Sequence, residues 1–176
     1  MARHGGDPAR PRLGGPLAAC PGCGLVLPAR DGPAHPYIGA SPACWALFGE
    51  LLAREYADPR YRRVHRTTVD AYATQHPGVP ERRSVQSVAL HLAGLLLVFE
   101  EGMPSEHVKA RLRAVRGGFR EPRWLEPPRS LGEPTVRDVL GASSAAEHER
   151  EVLRWAGAVW AAWEPHHATV RSSLSL

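Results

Sequence analysis

Lysine is almost missing from this chain: of 22 basic residues only Lys109 is a lysine, and the others are arginines. Such a skew follows from GC-rich coding as readily as from a selected basic patch. The net charge of +4 and the pI near 9.3 therefore do not by themselves mark a nucleic-acid-binding protein. Basic residues are densest in "YRRVHR" (61–66) and "ERR" (81–83), and a solvated Arg-rich surface accounts for both. Cysteine is also scarce. Three residues, Cys20, Cys23 and Cys44, form an odd count that cannot build a disulfide framework, and they fit a reducing compartment. Long apolar runs are lacking too: the best, Val88 to Phe99, is interrupted by His91 and Gly94 and falls short of the roughly 18 residues a membrane span needs. The first nineteen residues have Arg, Gly and Pro but no apolar segment of the signal-peptide kind, so a cytoplasmic location is expected by default, with no membrane partner.

The chain nevertheless has the size and the apolar content, 176 residues and 43%, of a globular protein with one core. Residues 1–18, rich in Pro, Gly and Arg, are expected to be a flexible tail, and 19–176 a single helical domain. "CPGCG" at 20–24 reads as a tight turn, followed by a short extended piece at 25–27. "SPACWALFGELLAREYA" then opens a helix, with Ser41 as N-cap and Pro42 at the first helical position. Thr67-Thr-Val-Asp70 matches a capping box and predicts a helix that runs to His76, where Pro77-Gly78 stops it. Further helices are expected at 84–101, 105–116 and, as a short turn, 135–141, with a Pro-rich loop at 119–134 anchored by Trp124 and Leu125. Ser144-Ala-Ala-Glu147 caps a long last helix that Pro165 should bend, its apolar stripe running from Val152 through His166 to Val170. No strand of convincing length and no internal repeat is seen. The expected fold class is all-α: a bundle of about five helices carrying an N-terminal Cys-x-x-Cys knuckle.

That knuckle is the sharpest chemical signal. Cys20-Pro-Gly-Cys23-Gly24 lets two thiolates face one ion, which is half of a tetrahedral zinc site. No second Cys-x-x-Cys exists, so the rest must come from Cys44, the histidines, a carboxylate or water, with His76, His91, Cys44 and His65 the candidates. The metal set expected is Cys20, Cys23, His76 and His91, with zinc as the ion. Cys44, next to Trp45, reads as a buried inert thiol. His76 shares a helix face with Val69 and Tyr72 and looks inward, whereas Asp70, six residues earlier, points elsewhere. Asp70 suits a cap to Thr67 or an ion pair with Arg66. If His65 were helical it would lie about 16 Å from His76, too far to share an ion. His91 stands at the edge of an apolar stripe, in a polar row with Ser84 and Ser87. Of the adjacent pair His166-His167, His166 faces the core.

Several stretches together, "CPGCG", "HPYIGASPACW", "VHRTTVDAYATQHPG", "QSVALHLAGLLLVFEEG", "WLEPP" and "WAGAVWAAWEPHHATV", resemble small bacterial proteins, common in actinobacteria, classed as a domain of unknown function. The resemblance covers nearly all of the chain after residue 18. It implies that Cys20, Cys23, His65, Asp70, Tyr72, Gln75, His76, Ser87, His91, His166 and His167 matter together, and it implies no activity. The leading expectation is a zinc-binding helical protein. The first rival is a metal-dependent or acid–base, hydrolase-like enzyme with Asp70, His91 and His166 as catalytic residues. The second is a non-catalytic module that contacts nucleic acid or a partner protein.

Overall fold

The structure is a computed structural model that describes residues 15–115 and 122–174. Most of the expected tail, and parts of the helix end near 116 and of the loop from 119, lie outside the described residues. The fold is mostly helical, as expected: α1 (Pro42–Ala57), α2 (His65–Gln75), α3 (Arg82–Phe99), α4 (Ser105–Ala114), α5 (Val136–Leu140), α6 (Ala145–Ala162) and α7 (His167–Leu174), with 3-10 turns at Arg62–Val64 and Glu164–His166. One small sheet precedes them. Strands β1 (Leu17–Ala19) and β2 (Val26–Pro28) pair antiparallel, with Ala19 opposite Val26, so the tail expected through residue 18 gives way to a strand at Leu17. Three-residue strands are too short to show alternation, which is why only an extended piece was legible.

The short, polar α2 is the centre of the molecule. It packs on α3, α6 and α4, and eight of its eleven residues are buried, although few of them are aliphatic. Burial on this scale requires that each polar group find a partner. Thr74 Oγ1 donates to the Asp70 carbonyl at 2.7 Å, and Gln75 Nε2 donates to the carbonyls of Leu131, Gly132 and Pro134. Trp155 Nε1 donates to Gln75 Oε1 at 2.9 Å, and Trp163 Nε1 to the Thr74 carbonyl at 3.1 Å. The two buried tryptophans thus bring their apolar bulk to the core while their indole donors satisfy α2. Leu51, Leu92, Leu95 and Leu97 fill the remaining interior, and Trp124 and Leu125 pack partly buried against it, as expected.

Two helix starts and one helix course differ from expectation. Ser41 does cap α1, its side chain accepting from Cys44 N at 3.2 Å. Thr67 caps nothing: α2 already begins at His65, and the Thr67 hydroxyl bonds Ser105 instead. Ser144 caps α6 by accepting from Glu147 N, but the Glu147 carboxylate turns to Ser143, so the box is not reciprocal. The last helix breaks where a bend was expected. Pro165 has no N–H to give and would crowd the carbonyl of Ala161, and the chain makes a 3-10 turn before α7 restarts at His167.

Candidate metal centre

Three segments far apart in sequence meet at the C-terminal end of α2. The knuckle is closed by Gly24 N donating to the Cys20 carbonyl and Cys20 N to the Leu25 carbonyl, both at 2.9 Å, which fixes Cys20 and Cys23 at the mouth of the hairpin. Cys44 comes from the first turn of α1. His76 is the C-cap of α2, where the chain leaves helical geometry and Gly39 N donates to its carbonyl at 3.0 Å. The fit allows no side chain at Gly22: a methyl there would strike the His76 ring and the carbonyls of Gln75 and Gly39.

The four donor atoms, three Sγ and one imidazole nitrogen, all lie within 4.8 Å of one another. Cys23 Sγ and Cys44 Sγ are 3.8 Å apart, and Cys44 Sγ lies 3.4 Å from His76 Nε2. With zinc–sulfur bonds near 2.3 Å and zinc–nitrogen bonds near 2.0–2.1 Å, tetrahedral geometry places sulfurs about 3.8 Å apart and a sulfur and a nitrogen about 3.6 Å apart. Neighbouring groups hold the donors in place. His76 Nδ1 donates to the Tyr72 carbonyl at 2.7 Å, which turns Nε2 toward the cluster, 3.4 Å from Cys44 Sγ. Ser41 N points at Cys20 Sγ from 3.4 Å, and the Tyr72 hydroxyl donates to Cys44 Sγ at 3.6 Å. Tyr72 is itself clamped, stacked between Phe48 and His76 with ring centroids 3.8 and 4.1 Å away.

Hydrogen bonds from Cys23 and then Cys44 hold the Cys20 thiol well below its ordinary value. The Cys44 thiol is pushed far up by its contacts with Cys20 and Cys23 and by burial. Burial opposes a charge on His76, but hydrogen bonding and attraction from Cys20 and Cys23 outweigh it and hold the imidazole at about 9. Burial, then the Cys44 sulfur, pushes the Tyr72 phenol up, so it stays a donor. The four residues together form a possible metal-binding site.

The other expected site residues fall elsewhere. His91 is absent from the cluster, and Cys44, read from sequence as inert, stands in the place expected for it. His91 Nδ1 donates to Asp70 Oδ1 at 2.6 Å. Asp70 also pairs with Arg66, one of the two roles its position suggested. His166 meets neither of them; it sits in the 3-10 turn with Nε2 donating to the Glu126 carbonyl at 2.8 Å, because the break at Pro165 takes it off the apolar stripe. His65 is helical, at the far end of α2 from His76, and serves a cluster that sequence reading missed. There the fully buried Glu55 accepts from His65 Nδ1 at 2.7 Å, His148 Nε2 at 3.0 Å and Thr68 Oγ1 at 2.6 Å. Burial opposes its charge, yet these donors hold the Glu55 carboxyl below its ordinary range. Several arginines are likewise spent within the fold: Arg54 on the carbonyls of Val139, Leu140 and Ala142, Arg66 on Asp70, and Arg171 on Glu100.

Fold and site together define a small, mostly helical protein built around a three-cysteine, one-histidine cluster. The chain belongs to a family of unknown function (DUF5946), whose profile it matches over residues 18–164. No curated protein and no solved structure matches it. Among the described residues, no helix is long and apolar enough to cross a membrane.

Proposed function

We propose that the protein binds one zinc ion through Cys20, Cys23, Cys44 and His76, and that the ion is structural. The observation that carries this is the spacing of the donors, 3.8 Å between two sulfurs and 3.4 Å from sulfur to nitrogen, which suits a tetrahedral ion. Three thiolates with one imidazole favour zinc over harder cations, which prefer oxygen. Four protein ligands fill the tetrahedron and leave no position for a substrate or an activated water, so the ion's work is mechanical. It ties the hairpin and the start of α1 to the end of α2. Without it, the hairpin and the segment that follows it are held to the core mainly by Leu27, Ile38 and Ala40. Three reduced cysteines suit the cytoplasm, where we place the protein.

Native mass spectrometry of the protein purified without chelator tests the reading. One zinc per chain is expected, and a Cys44→Ser variant should lose it. A variant that keeps its full zinc content would overturn the assignment of Cys44.

A further inference from the structure

A second site lies on the other face of α2, and its construction is that of a positioned base. Asp70 is fully buried and is the common partner of two cationic or proton-donating side chains. Arg66 Nε reaches Oδ2 at 2.9 Å and its terminal nitrogen reaches Oδ1 at 2.7 Å, while His91 Nδ1 reaches Oδ1 at 2.6 Å. A carboxylate paired in this way only accepts, so His91 Nδ1 carries a proton and Nε2 is the nitrogen that holds the lone pair in the neutral ring. The fold accepts a cost to bring these groups together. Gly94 sits within α3, where glycine costs about 1 kcal/mol against alanine, and a methyl there would overlap Asp70 Oδ2. The glycine is what lets α3 approach the carboxylate closely enough for His91 to reach it.

What separates His91 from the other carboxylate-bound histidines is its second nitrogen. His65 gives Nε2 to Tyr56, His167 gives Nε2 to the Trp160 carbonyl, and His148 keeps its free Nδ1 fully buried. The His91 side chain is 15% exposed, and its Nε2 is neither buried nor hydrogen-bonded among the described residues. One turn earlier on the same helix, Ser87 is 8% exposed and its hydroxyl is buried with no partner, an unmet polar group beside the imidazole.

We propose that the Asp70–His91 pair is a general-base site that activates water against small acyl esters. His91 Nε2 takes a proton from water as the water oxygen bonds to the acyl carbon. The tetrahedral intermediate collapses by breaking the bond to the leaving oxygen, and the imidazolium returns the proton to that oxygen, so that one water is added across the ester. Asp70 stays ionised throughout; it holds the ring in the required tautomer and stabilises the imidazolium. Asp70 and Arg66 act through His91 and are positioning residues. The site is separate from the metal cluster and does not rest on it.

The test uses the full chain with its metal and p-nitrophenyl acetate as probe. Wild type is expected to hydrolyse it above the buffer rate, and His91→Ala to lose at least about tenfold of that excess. His91→Gln keeps an amide that can donate to Asp70 but has no titratable nitrogen, and it should be as slow. Added imidazole should restore part of the rate in His91→Ala beyond the rate that the same imidazole gives with the ester alone, a response that a packing role would not give. Wild type at the buffer rate, variants within twofold of wild type, recovery in His91→Gln, or loss without imidazole rescue would each overturn the proposal.

Discussion

Two clusters at opposite ends of α2 use histidine in opposite ways. At the C-terminal end, His76 and three sulfurs converge, every donor atom within 4.8 Å of the others. At the N-terminal end, Glu55 takes His65 on one carboxylate oxygen and His148 with Thr68 on the other, so both oxygens of the carboxylate already have their partners. Among the described residues only the first group converges in the manner of a metal site. Residue type therefore does not decide between an ion site and an internal salt-bridge network. Convergence with unmet charge does, and pairing that closes on itself removes the need for an ion.

The sharpest way to break this contrast is to remove one sulfur. Cys44→Ser should abolish zinc binding and lower Tm by on the order of 10 °C, the shift that a few kcal/mol produces in a chain of this size. Wild type treated with a strong chelator should melt at about the same lowered temperature. Next in size is Glu55→Gln, which strips the buried His148 and the half-buried His65 of their acceptor charge. It should cost about 3 kcal/mol or more in denaturant unfolding while leaving zinc content at one per chain. This variant also sets the pH dependence. The Glu55 carboxyl lies lower in the folded protein than its ordinary 4.5, so its stabilisation is present above that pH and is lost as pH falls below it. The Tm gap between wild type and Glu55→Gln should accordingly close on acidification from pH 5 toward the folded value, and stay constant above it.

Smaller effects refine the picture. Gly94→Ala forces a methyl against Asp70 and should cost about 1–3 kcal/mol in spite of alanine's better helix propensity, again without loss of zinc. Tyr72→Phe removes only the hydroxyl that donates to Cys44 Sγ. It should melt within about 1 kcal/mol of wild type but give up zinc to a competing chelator about tenfold more readily.

The parts of this account that rest on local signals were legible in the chain. The Ser41-Pro42 start of α1, the Cys-x-x-Cys turn and the inward face of His76 each depend on a few adjacent residues, and the structure shows each of them. What was hidden depends on closure over long separations. Cys44 looked inert because its neighbour Trp45 signalled packing, and nothing local says that the end of α2, 32 residues on, delivers an imidazole to it. Glu55 sits on the buried side of an otherwise ordinary amphipathic helix, and its partner His148 lies 93 residues away. Asp70 imitated a capping acid because Thr67 stands three residues before it. The helix begins earlier, which turns Asp70 from a cap into the partner of Arg66 and His91. His166 was misplaced for a similar reason: the periodicity runs through Pro165, while the backbone does not.

X-ray absorption at the zinc edge tests the central claim most directly. The account predicts a first shell of three sulfurs at about 2.3 Å and one nitrogen at about 2.0–2.1 Å in wild type, with His91→Ala giving the same spectrum and Cys44→Ser giving none from bound zinc. A shell made only of nitrogen and oxygen, or one with two sulfurs that Cys44→Ser leaves unchanged, would contradict it.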